Sequence, residues 1–357
     1  MKRILVTGAG GAPGSNFVDC LRMAGEEFYI IGCDSSEYHL ELAGNLDGKY
    51  LVPRADDPCY LEELRKLIEH EKIDFLHPQP DVEVLAIAGN IQSLDVKTFL
   101  PDFSTIELCQ DKSGFNARLR EAGVPVPVSY RLESREDLEL AFRSLTAGER
   151  TQEKAWIRAV QGAGSRGSLP IYDVDQGHQW IDFWHSSRGL SYEDFMLSEF
   201  LPGREFAFQS LWKDGAIVTS QARERLEYLF GNLTPSGQSS SPSVARTSHD
   251  ETVNRNASQA VESVDGKAGG VFCVDLKENC AGIPCVTEIN CGRFFTTSNF
   301  FASAGSNMPY SYLKLAFGEK LPPLPRFNAV EAGLYWIRGI DMGFKLVRDG
   351  EWTSRKI

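Results

Sequence analysis

The sequence predicts an α/β protein that opens with a doubly wound parallel sheet and continues into a larger α+β region. KRILVTG, residues 2–8, is a short apolar run that ends in the glycine-rich turn GAGGAPGS, and NFVDCLRMAG then has helical periodicity. A second apolar run, EFYIIGCD, ends at Asp34. This order of strand, turn, helix and strand is typical of doubly wound folds. Later, two runs rich in β-branched residues flank the turn-forming ENCAGI and predict a β-hairpin over residues 271–293.

Length and composition narrow the function classes. A chain of 357 residues is long enough for two or three domains. The net charge of -12 argues against nucleic acid as a partner, which requires a basic patch. No apolar run reaches the roughly 18 residues of a membrane-spanning helix, and the N-terminal apolar stretch is too short for a signal peptide. We therefore expect a cytoplasmic protein with no membrane partner.

The eight cysteines occur singly, with no Cys-x-x-Cys pair. This spacing argues against a structural zinc site, and it predicts buried free thiols in a cytoplasmic chain.

Three side chains of the predicted hairpin have the chemistry of a magnesium site. Residues two apart on a strand share a face, so Glu288 and Asn290 point the same way. Antiparallel pairing can bring Asp275 of the partner strand opposite them. Two carboxylates and an amide oxygen are hard ligands that suit Mg²⁺. A hairpin with a solvated acidic face is the alternative explanation.

The N-terminal glycine turn indicates another kind of site, one that binds a dinucleotide cofactor. Gly8, Gly11 and Gly14 approximate the dinucleotide-binding fingerprint, and Asp34 lies about where a ribose-binding acid would be. An NAD(P)-dependent oxidoreductase or epimerase is therefore the main rival hypothesis. Such a turn also serves simply to let a strand enter a helix tightly. Tyr310 and Lys314 have the spacing of a short-chain dehydrogenase pair, but PYSYLKLAFG is interpreted as an ordinary helix.

Several motifs, in order, resemble the ATP-grasp superfamily. The hairpin pattern Asp-x₁₂-Glu-x-Asn resembles its metal-binding end, and the glycine-rich stretch 162–167 between two predicted strands resembles the phosphate-covering loop of the carbamoyl-phosphate synthetase branch. The stretch EFLPGRE, residues 199–205, resembles the adenine strand and hinge. The family pattern continues Asn-Pro-Arg, whereas Cys291 and Gly292 separate Asn290 from Arg293 here.

The resemblance covers about residues 1–320 and implies a domain organisation. We expect a pre-ATP-grasp domain over 1–105 and an ATP-grasp domain over 106–320. The latter would comprise a first lobe, 106–195, with the phosphate loop, and a second lobe, 196–320, with the adenine strand and metal site. The extension 321–357 has no assigned role, although it has the pattern of strands. Residues 231–249 are poor in large apolar groups and are expected to form a mobile loop, which is a candidate substrate lid.

The resemblance also implies roles for individual residues. Mg²⁺ would be held by Asp275, Glu288 and Asn290. ATP phosphates would be held by Lys112, Arg158, Gly162, Gly164, Ser165, Arg166 and Gly167. The adenine would lie against Glu199, Phe200 and Leu201, and the ribose on Glu205. Arg223 and Arg225 lie on one predicted strand, where an arginine is expected to reach nucleotide or substrate, and Arg223 is the one assigned that role; a solvated edge strand is the alternative. Arg293 is expected to stabilise the acyl phosphate together with Lys112 and Arg158.

The implied activity is an ATP-dependent ligase. It would activate a small-molecule carboxylate as an acyl phosphate and join it to an amine or another nucleophile, with release of ADP and phosphate. A homodimer is possible. Besides the oxidoreductase, a non-catalytic ATP-binding protein remains an alternative.

Overall fold

A computed structural model of the chain describes residues 1–147, 153–160, 167–234, 236–239 and 241–353. Its strands, numbered in chain order, are β1 Lys2–Thr7, β2 Phe28–Asp34, β3 Gly48–Leu51, β4 Phe75–His77, β5 Ser129–Arg131, β6 Ala155–Ala159, β7 Leu169–Ile171, β8 Phe195–Glu199, β9 Glu205–Lys213, β10 Ala216–Tyr228, β11 Pro242–Ser248, β12 Gly270–Glu278, β13 Pro284–Cys291, β14 Leu334–Gly339 and β15 Gly343–Arg348.

The α-helices, also in chain order, are α1 Ala12–Arg22, α2 Glu37–Leu42, α3 Tyr60–Glu71, α4 Asp81–Gly89, α5 Ile91–Leu94, α6 Phe103–Gln110, α7 Lys112–Glu121, α8 Arg135–Thr146, α9 Val174–Arg188, α10 Glu251–Val264, α11 Asn299–Ser303 and α12 Met308–Ala316. Short 3₁₀ helices span Tyr192–Asp194 and Gly231–Leu233. Among the described residues, no helix is both long and apolar enough to cross a bilayer.

The first sheet is parallel and has the order β3-β2-β1-β4. It confirms the predicted α/β fold class, because β1, the glycine turn, α1 and β2 form the expected unit. Helix α1 begins directly after Gly11 and has a proline in its first turn, where a missing N–H leaves no helical bond unmade. The apolar segment VEVLAIAGNIQSL is divided at Asn90 between α4 and α5.

The glycine turn after β1 is closely packed against neighbouring chain segments. Gly8 has φ +58°, and a Cβ atom there would lie 2.5 Å from Cγ of Pro80. A Cβ atom on Gly10 would lie 2.5 Å from Cβ of His39. Asp34, the expected ribose ligand of the oxidoreductase hypothesis, accepts a hydrogen bond of 3.1 Å from the Gly10 N–H. The glycines therefore have a packing role that needs no bound dinucleotide.

The second sheet is small and antiparallel, with the order β5-β8-β6-β7. Its apolar face packs under α8 and α9 around buried residues such as Ile157 and Leu197. Strand β8 ends at Glu199 and belongs to this sheet, although the expected lobe boundary at 195/196 placed it with the following residues.

The third sheet has seven strands in the order β13-β12-β9-β10-β11-β14-β15. Strands β9 and β10 are joined at Asp214 and Gly215, which both have positive φ as a tight hairpin requires. The loop predicted over 231–249 is wrong for its second half, since β11 pairs with β10 and β14. The C-terminal extension supplies β14 and β15, and therefore completes this sheet.

One hydrophobic core joins the parallel sheet to the seven-stranded sheet. Ile4 and Phe17 of the former pack in the same cluster as Leu211 and Val271 of the latter, and Trp336 of β14 also belongs to it. The expected division at residues 105 and 320 stays a prediction. All eight cysteines are free; Cys59 and Cys280 are exposed, and the other six are buried.

Candidate active site at the β12–β13 hairpin

The predicted hairpin forms, and its register places the three polar side chains on one face. Asp275 pairs with Glu288, and Cys273 pairs with Asn290. A register shift follows Asp275, and the hydroxyl of Thr287 donates to the Asp275 carbonyl at 3.1 Å. Asp275, Glu288 and Asn290 all face one pocket. The structure therefore brings together the residues predicted as metal ligands.

That pocket has a volume of about 300 Å³ and lies between the small sheet and the seven-stranded sheet. Its walls include most of the side chains that the sequence predicts for a nucleotide site. Those lining it are Lys112, Arg158, Glu199, Phe200, Leu201, Glu205, Asp275, Glu288, Asn290 and Arg293. They come from five strands, one helix and two loops, so only tertiary packing makes them neighbours.

Two buried cations face the acidic hairpin across this pocket. Burial lowers the pKa of Lys112, while the negative charge of Glu288 opposes that effect. Burial also lowers the pKa of Arg158, again opposed by Glu288. Arg158 donates to the Thr287 carbonyl at 3.2 Å, and its Nε–H has no hydrogen-bond partner among the described residues. A buried cation with an unpartnered donor in the wall of a pocket favours an anionic ligand.

Arg293 joins the hairpin to the parallel sheet. Its Nε and Nη2 atoms both donate to the carboxylate of Asp81, the Nη2 contact being 3.0 Å. The same Nη2 donates to Oδ1 of Asn290 at 2.6 Å. Burial would lower the pKa of Arg293, but Asp81 raises it above its ordinary value. Arg293 therefore stays charged beside the predicted metal ligands.

Glu205, expected to hold ribose hydroxyls, already accepts from several donors. The hydroxyl of Tyr228 donates to Oε1, and Nη1 of Arg225 donates to the same atom at 3.1 Å. Gln238 and Lys277 donate to Oε2 at 2.8 and 3.3 Å. Burial opposes ionisation, but Arg225 and Lys277 hold the pKa of Glu205 below its usual value. A carboxylate offers about four acceptor positions, so a ribose hydroxyl would have to replace a donor.

Arg225, rather than Arg223, reaches the pocket. Arg225 donates from Nη2 to Oδ1 of Asp275 at 2.7 Å. Arg223 lies outside the pocket lining found among the described residues; it is buried, donates to the Thr297 hydroxyl and packs over the ring of Phe295. Burial lowers the pKa of Arg223 to about 9. Arg223 therefore makes no contact with the described pocket that would support its expected role as a ligand.

Comparison with known proteins decides the family. A family model described as an ATP-grasp domain matches residues 109–297, more than half of the chain. The chain belongs to the ATP-grasp family. This confirms the resemblance inferred from the motifs, and the matched residues contain Lys112, Arg158 and the whole β12–β13 hairpin.

One curated relative of this ATP-grasp chain is the carbamoyl phosphate synthase large chain of Thermoplasma acidophilum. It is 25% identical over 120 residues, which make up 32% of this chain and 11% of that protein. The match therefore spans only a small part of the relative's length.

Solved structures share the ATP-grasp fold over nearly the whole chain. N5-carboxyaminoimidazole synthetase from Staphylococcus aureus, complexed with ADP, has a TM-score of 0.70 and 14% identity, with 94% of this chain and 82% of that one covered. L-amino acid ligase from Bacillus licheniformis has a TM-score of 0.67 and 14% identity, with 94% and 79% covered. The biotin carboxylase domain of the Hydrogenobacter thermophilus 2-oxoglutarate carboxylase has a TM-score of 0.69 and 15% identity, with 94% and 73% covered. At these identities the likeness shows the fold alone.

The glycine-rich stretch of this ATP-grasp chain is only partly described. Gly162, Gly164, Ser165 and Arg166 lie outside the described residues. Gly167 has φ +73°, and its carbonyl accepts from Nε1 of Trp180 at 3.1 Å. Ser168, its neighbour, is part of the pocket lining. The C-terminal end of the predicted phosphate loop therefore lies at the pocket wall.

The sequence reasoning missed three pocket residues that contact Glu205, namely Tyr228, Gln238 and Lys277. It named Arg225 beside Arg223 but assigned the ligand role to Arg223. A signal existed for Lys277, because residues two apart on a strand share a face and Lys277 follows Asp275 at that spacing. The same rule places Arg225 on the face of Arg223. Tyr228 and Gln238 had no signal, since their position depends on how the chain after β10 turns back.

The hairpin residues fit a hard divalent cation. Within the described residues, no group of three or more His, Cys, Asp or Glu side chains could hold a metal ion. Two carboxylates and one amide oxygen on a single face instead suit Mg²⁺, which fills its remaining positions with water and phosphate oxygens. Arg225 and Arg293 each donate to one of these ligands, Asp275 and Asn290, and so restrict their orientation.

Proposed function

We propose that this protein is an ATP-dependent ligase that activates a carboxylate as an acyl phosphate and joins it to an amine or another nucleophile. One observation carries the proposal. The pocket has carboxylates and an amide oxygen on one wall, from β12 and β13, and two buried cations, Lys112 and Arg158, beside them. A triphosphate with a bound Mg²⁺ matches both groups of charges, because the acidic side chains attract the ion and the cations attract the phosphates.

In this proposal the chain binds and orients rather than reacts covalently. Asp275, Glu288 and Asn290 would hold Mg²⁺, which supplies charge neutralisation of the phosphate oxygens when bound. Lys112 and Arg158 would hold phosphate oxygens, together with the glycine-rich stretch 162–167. Phosphoryl transfer depends mainly on positioning and on stabilisation of charge, and this is what these side chains can supply.

The remaining assignments follow the lining of the pocket. Strand β8 ends at the pocket with Glu199, and the next two residues also line it. The adenine would contact Glu199, Phe200 and Leu201. Glu205 would reach the ribose once a donor such as Gln238 gives way. Arg293 would face the transferred phosphate and the acceptor carboxylate. We do not assign Arg223 a ligand; Arg225 takes its place beside Asp275.

Similar proteins support the reaction class. Solved structures with this fold are described as an L-amino acid ligase and as a carboxylase domain in complex with MgADP and bicarbonate. The proposed carboxylate and nucleophile are small molecules of unassigned identity. The proposed location is the cytoplasm.

A thermal-shift comparison tests the cofactor first. ATP with Mg²⁺, ATP with EDTA, and NAD(P)H are compared at about 100 times a typical dissociation constant, where a specific ligand adds roughly 2.7 kcal/mol of stability. We expect stabilisation by ATP that requires Mg²⁺. Stabilisation by NAD(P)H alone would refute the proposal and favour the glycine turn after β1 as the cofactor site.

A second experiment tests the reaction. ADP release is measured against a panel of carboxylates, each with and without a panel of amines. We expect release that depends on a particular carboxylate and rises with the correct amine. Binding of ATP and Mg²⁺ without ADP release for any pair would favour the non-catalytic alternative.

A further inference from the structure

The loop from β4 to α4, residues 77–81, contacts the chain that follows β13 at two points. Gln79 donates from Nε2 to the Phe294 carbonyl at 2.8 Å, in a buried position. Asp81 accepts from Nε and Nη2 of Arg293. The partners are more than 200 residues apart in sequence, so these contacts link the parallel sheet to the proposed active site.

The orientation of Gln79 is itself determined by a buried histidine. Because Nε2 of Gln79 donates to a carbonyl, its Oε1 is left to accept, and Nε2 of His77 lies 2.8 Å away. His77 therefore carries its hydrogen on Nε2. Its ring stacks on that of Phe17 with 3.9 Å between the ring centroids, and burial lowers the pKa of His77 to about 4. A neutral, buried donor thus holds Gln79 in the orientation that reaches Phe294.

Two prolines restrict the backbone of the same loop, and one of them packs against the glycine turn after β1. Pro78 and Pro80 flank Gln79 and restrict its backbone. Pro80 precedes α4, which begins at Asp81. The ring of Pro80 packs where a Cβ atom of Gly8 would be, at 2.5 Å from Cγ and 2.6 Å from Cδ. Any side chain at Gly8 would therefore displace the residue next to Asp81.

We infer that Asp81 is a positioning residue for the proposed ligase site, and that Gly8 serves it by leaving room for Pro80. Asp81 fixes the guanidinium of Arg293, whose Nη2 then donates to Oδ1 of Asn290 at 2.6 Å and so restricts the orientation of an amide group that lines the pocket. The inference rests on the proposed function, because Asn290 is a proposed Mg²⁺ ligand. It gives the glycine turn a role in the ATP site that is unrelated to dinucleotide binding.

The expected effect follows from how outer partners act on metal ligands. Loss of a side chain that orients a metal ligand weakens metal binding or activity by about 10- to 100-fold. Asp81→Asn keeps the shape of the side chain but removes the charge that both Nε and Nη2 of Arg293 contact. Asp95→Asn is the matched control, because Asp95 is exposed, lies in the same region of the chain and undergoes the same change of charge.

Isothermal titration of ADP, with Mg²⁺ and separately with EDTA, distinguishes positioning from a general structural role. We expect Asp81→Asn to weaken Mg²⁺-dependent ADP binding about 10- to 100-fold, with little change in EDTA. Asp95→Asn should match the wild type in both. Equal Mg²⁺-dependent affinity of Asp81→Asn and wild type would overturn the inference. Absence of Mg²⁺-dependent binding by the wild type would instead refute the proposed function.

A pair of glycine variants tests whether Gly8 must leave room for Pro80. It also tests the inference if Asp81→Asn does not fold. Gly8 and Gly25 both have positive φ, +58° and +70°, so alanine strains the backbone at either position. Only at Gly8 would the new Cβ meet another residue; at Gly25 nothing lies within 4 Å. We expect Gly8→Ala, but not Gly25→Ala, to weaken Mg²⁺-dependent ADP binding. An equal affinity in the two variants would contradict the proposed role of Gly8.

Discussion

Replacing Glu288 by Gln should nearly abolish ATP-dependent activity without unfolding the protein. Glu288 lies directly opposite Asp275, and its negative charge acts on Lys112, Arg158 and Arg293. Glutamine preserves the size of the side chain but removes that charge from the proposed Mg²⁺ site. The three cations then face one proposed carboxylate ligand, Asp275, which Arg225 already contacts.

The magnitude follows from what one electrostatic group contributes to such a site. Removing a single preorganised group typically lowers the rate about 100- to 1000-fold. At about 1.36 kcal/mol for each factor of ten, this is a loss of roughly 2.7–4.1 kcal/mol of transition-state stabilisation. The loss should persist at saturating Mg²⁺, because the remaining ligands hold the ion with a changed charge and geometry.

The assay is the initial rate of ADP release with the best carboxylate and amine from the screen, titrated with Mg²⁺ to saturation. Glu227→Gln is the control, since Glu227 is exposed on β10 of the same sheet. Circular dichroism and melting establish that both variants fold. A rate for Glu288→Gln near that of the wild type at saturating Mg²⁺ would refute the metal assignment.

Three further predictions concern stability and accessibility. Burial raises the pKa of Glu83 from 4.5 to about 7, so the folded protein binds more protons here than the unfolded chain does. The free energy of unfolding should therefore fall by up to about 3 kcal/mol as pH rises from 4.5 to 8. Denaturant titrations of Glu83→Gln should lack this pH dependence. Trp336→Ala should destabilise the chain by about 3–5 kcal/mol, measured the same way, because this buried ring packs 5.1 Å from that of Phe300. A thiol reagent should modify Cys59 and Cys280 quickly and the buried cysteines only on unfolding; rapid reaction of more than these two would contradict the fold.

The sequence predicted the elements best where local pattern and final environment agree. The β1–α1–β2 unit and the β12–β13 hairpin have apolar runs, glycine turns and helical periodicity that each require only neighbouring residues to be satisfied. It failed over 242–248, where β11 contains polar residues such as Ser243 and Arg246. That segment is a strand because β10 and β14 flank it and satisfy its backbone hydrogen bonds, which is not a local property.

The candidate site was predictable to a similar extent. Asp275, Glu288 and Asn290 could be placed on one face because a strand alternates its side chains with a period of two. The contacts of Arg293 with Asp81 and of Glu205 with Gln238 could not, since each joins segments that local pattern does not relate. Arg223 and Arg225 have the same local pattern, and only the depth of each position in the sheet separates the buried residue from the one that reaches the pocket.

Local sequence pattern was enough to predict the fold class, the family and the residue types of the candidate site, because these follow from short-range periodicity, turn residues and ordered motifs. Tertiary structure alone decided which donors occupy Glu205, that β14 and β15 complete the large sheet, and that the glycine turn at Gly8 accommodates Pro80. The physical reason is that burial and long-range pairing set the partner, charge and orientation of a side chain, whereas sequence spacing sets only the face on which it lies.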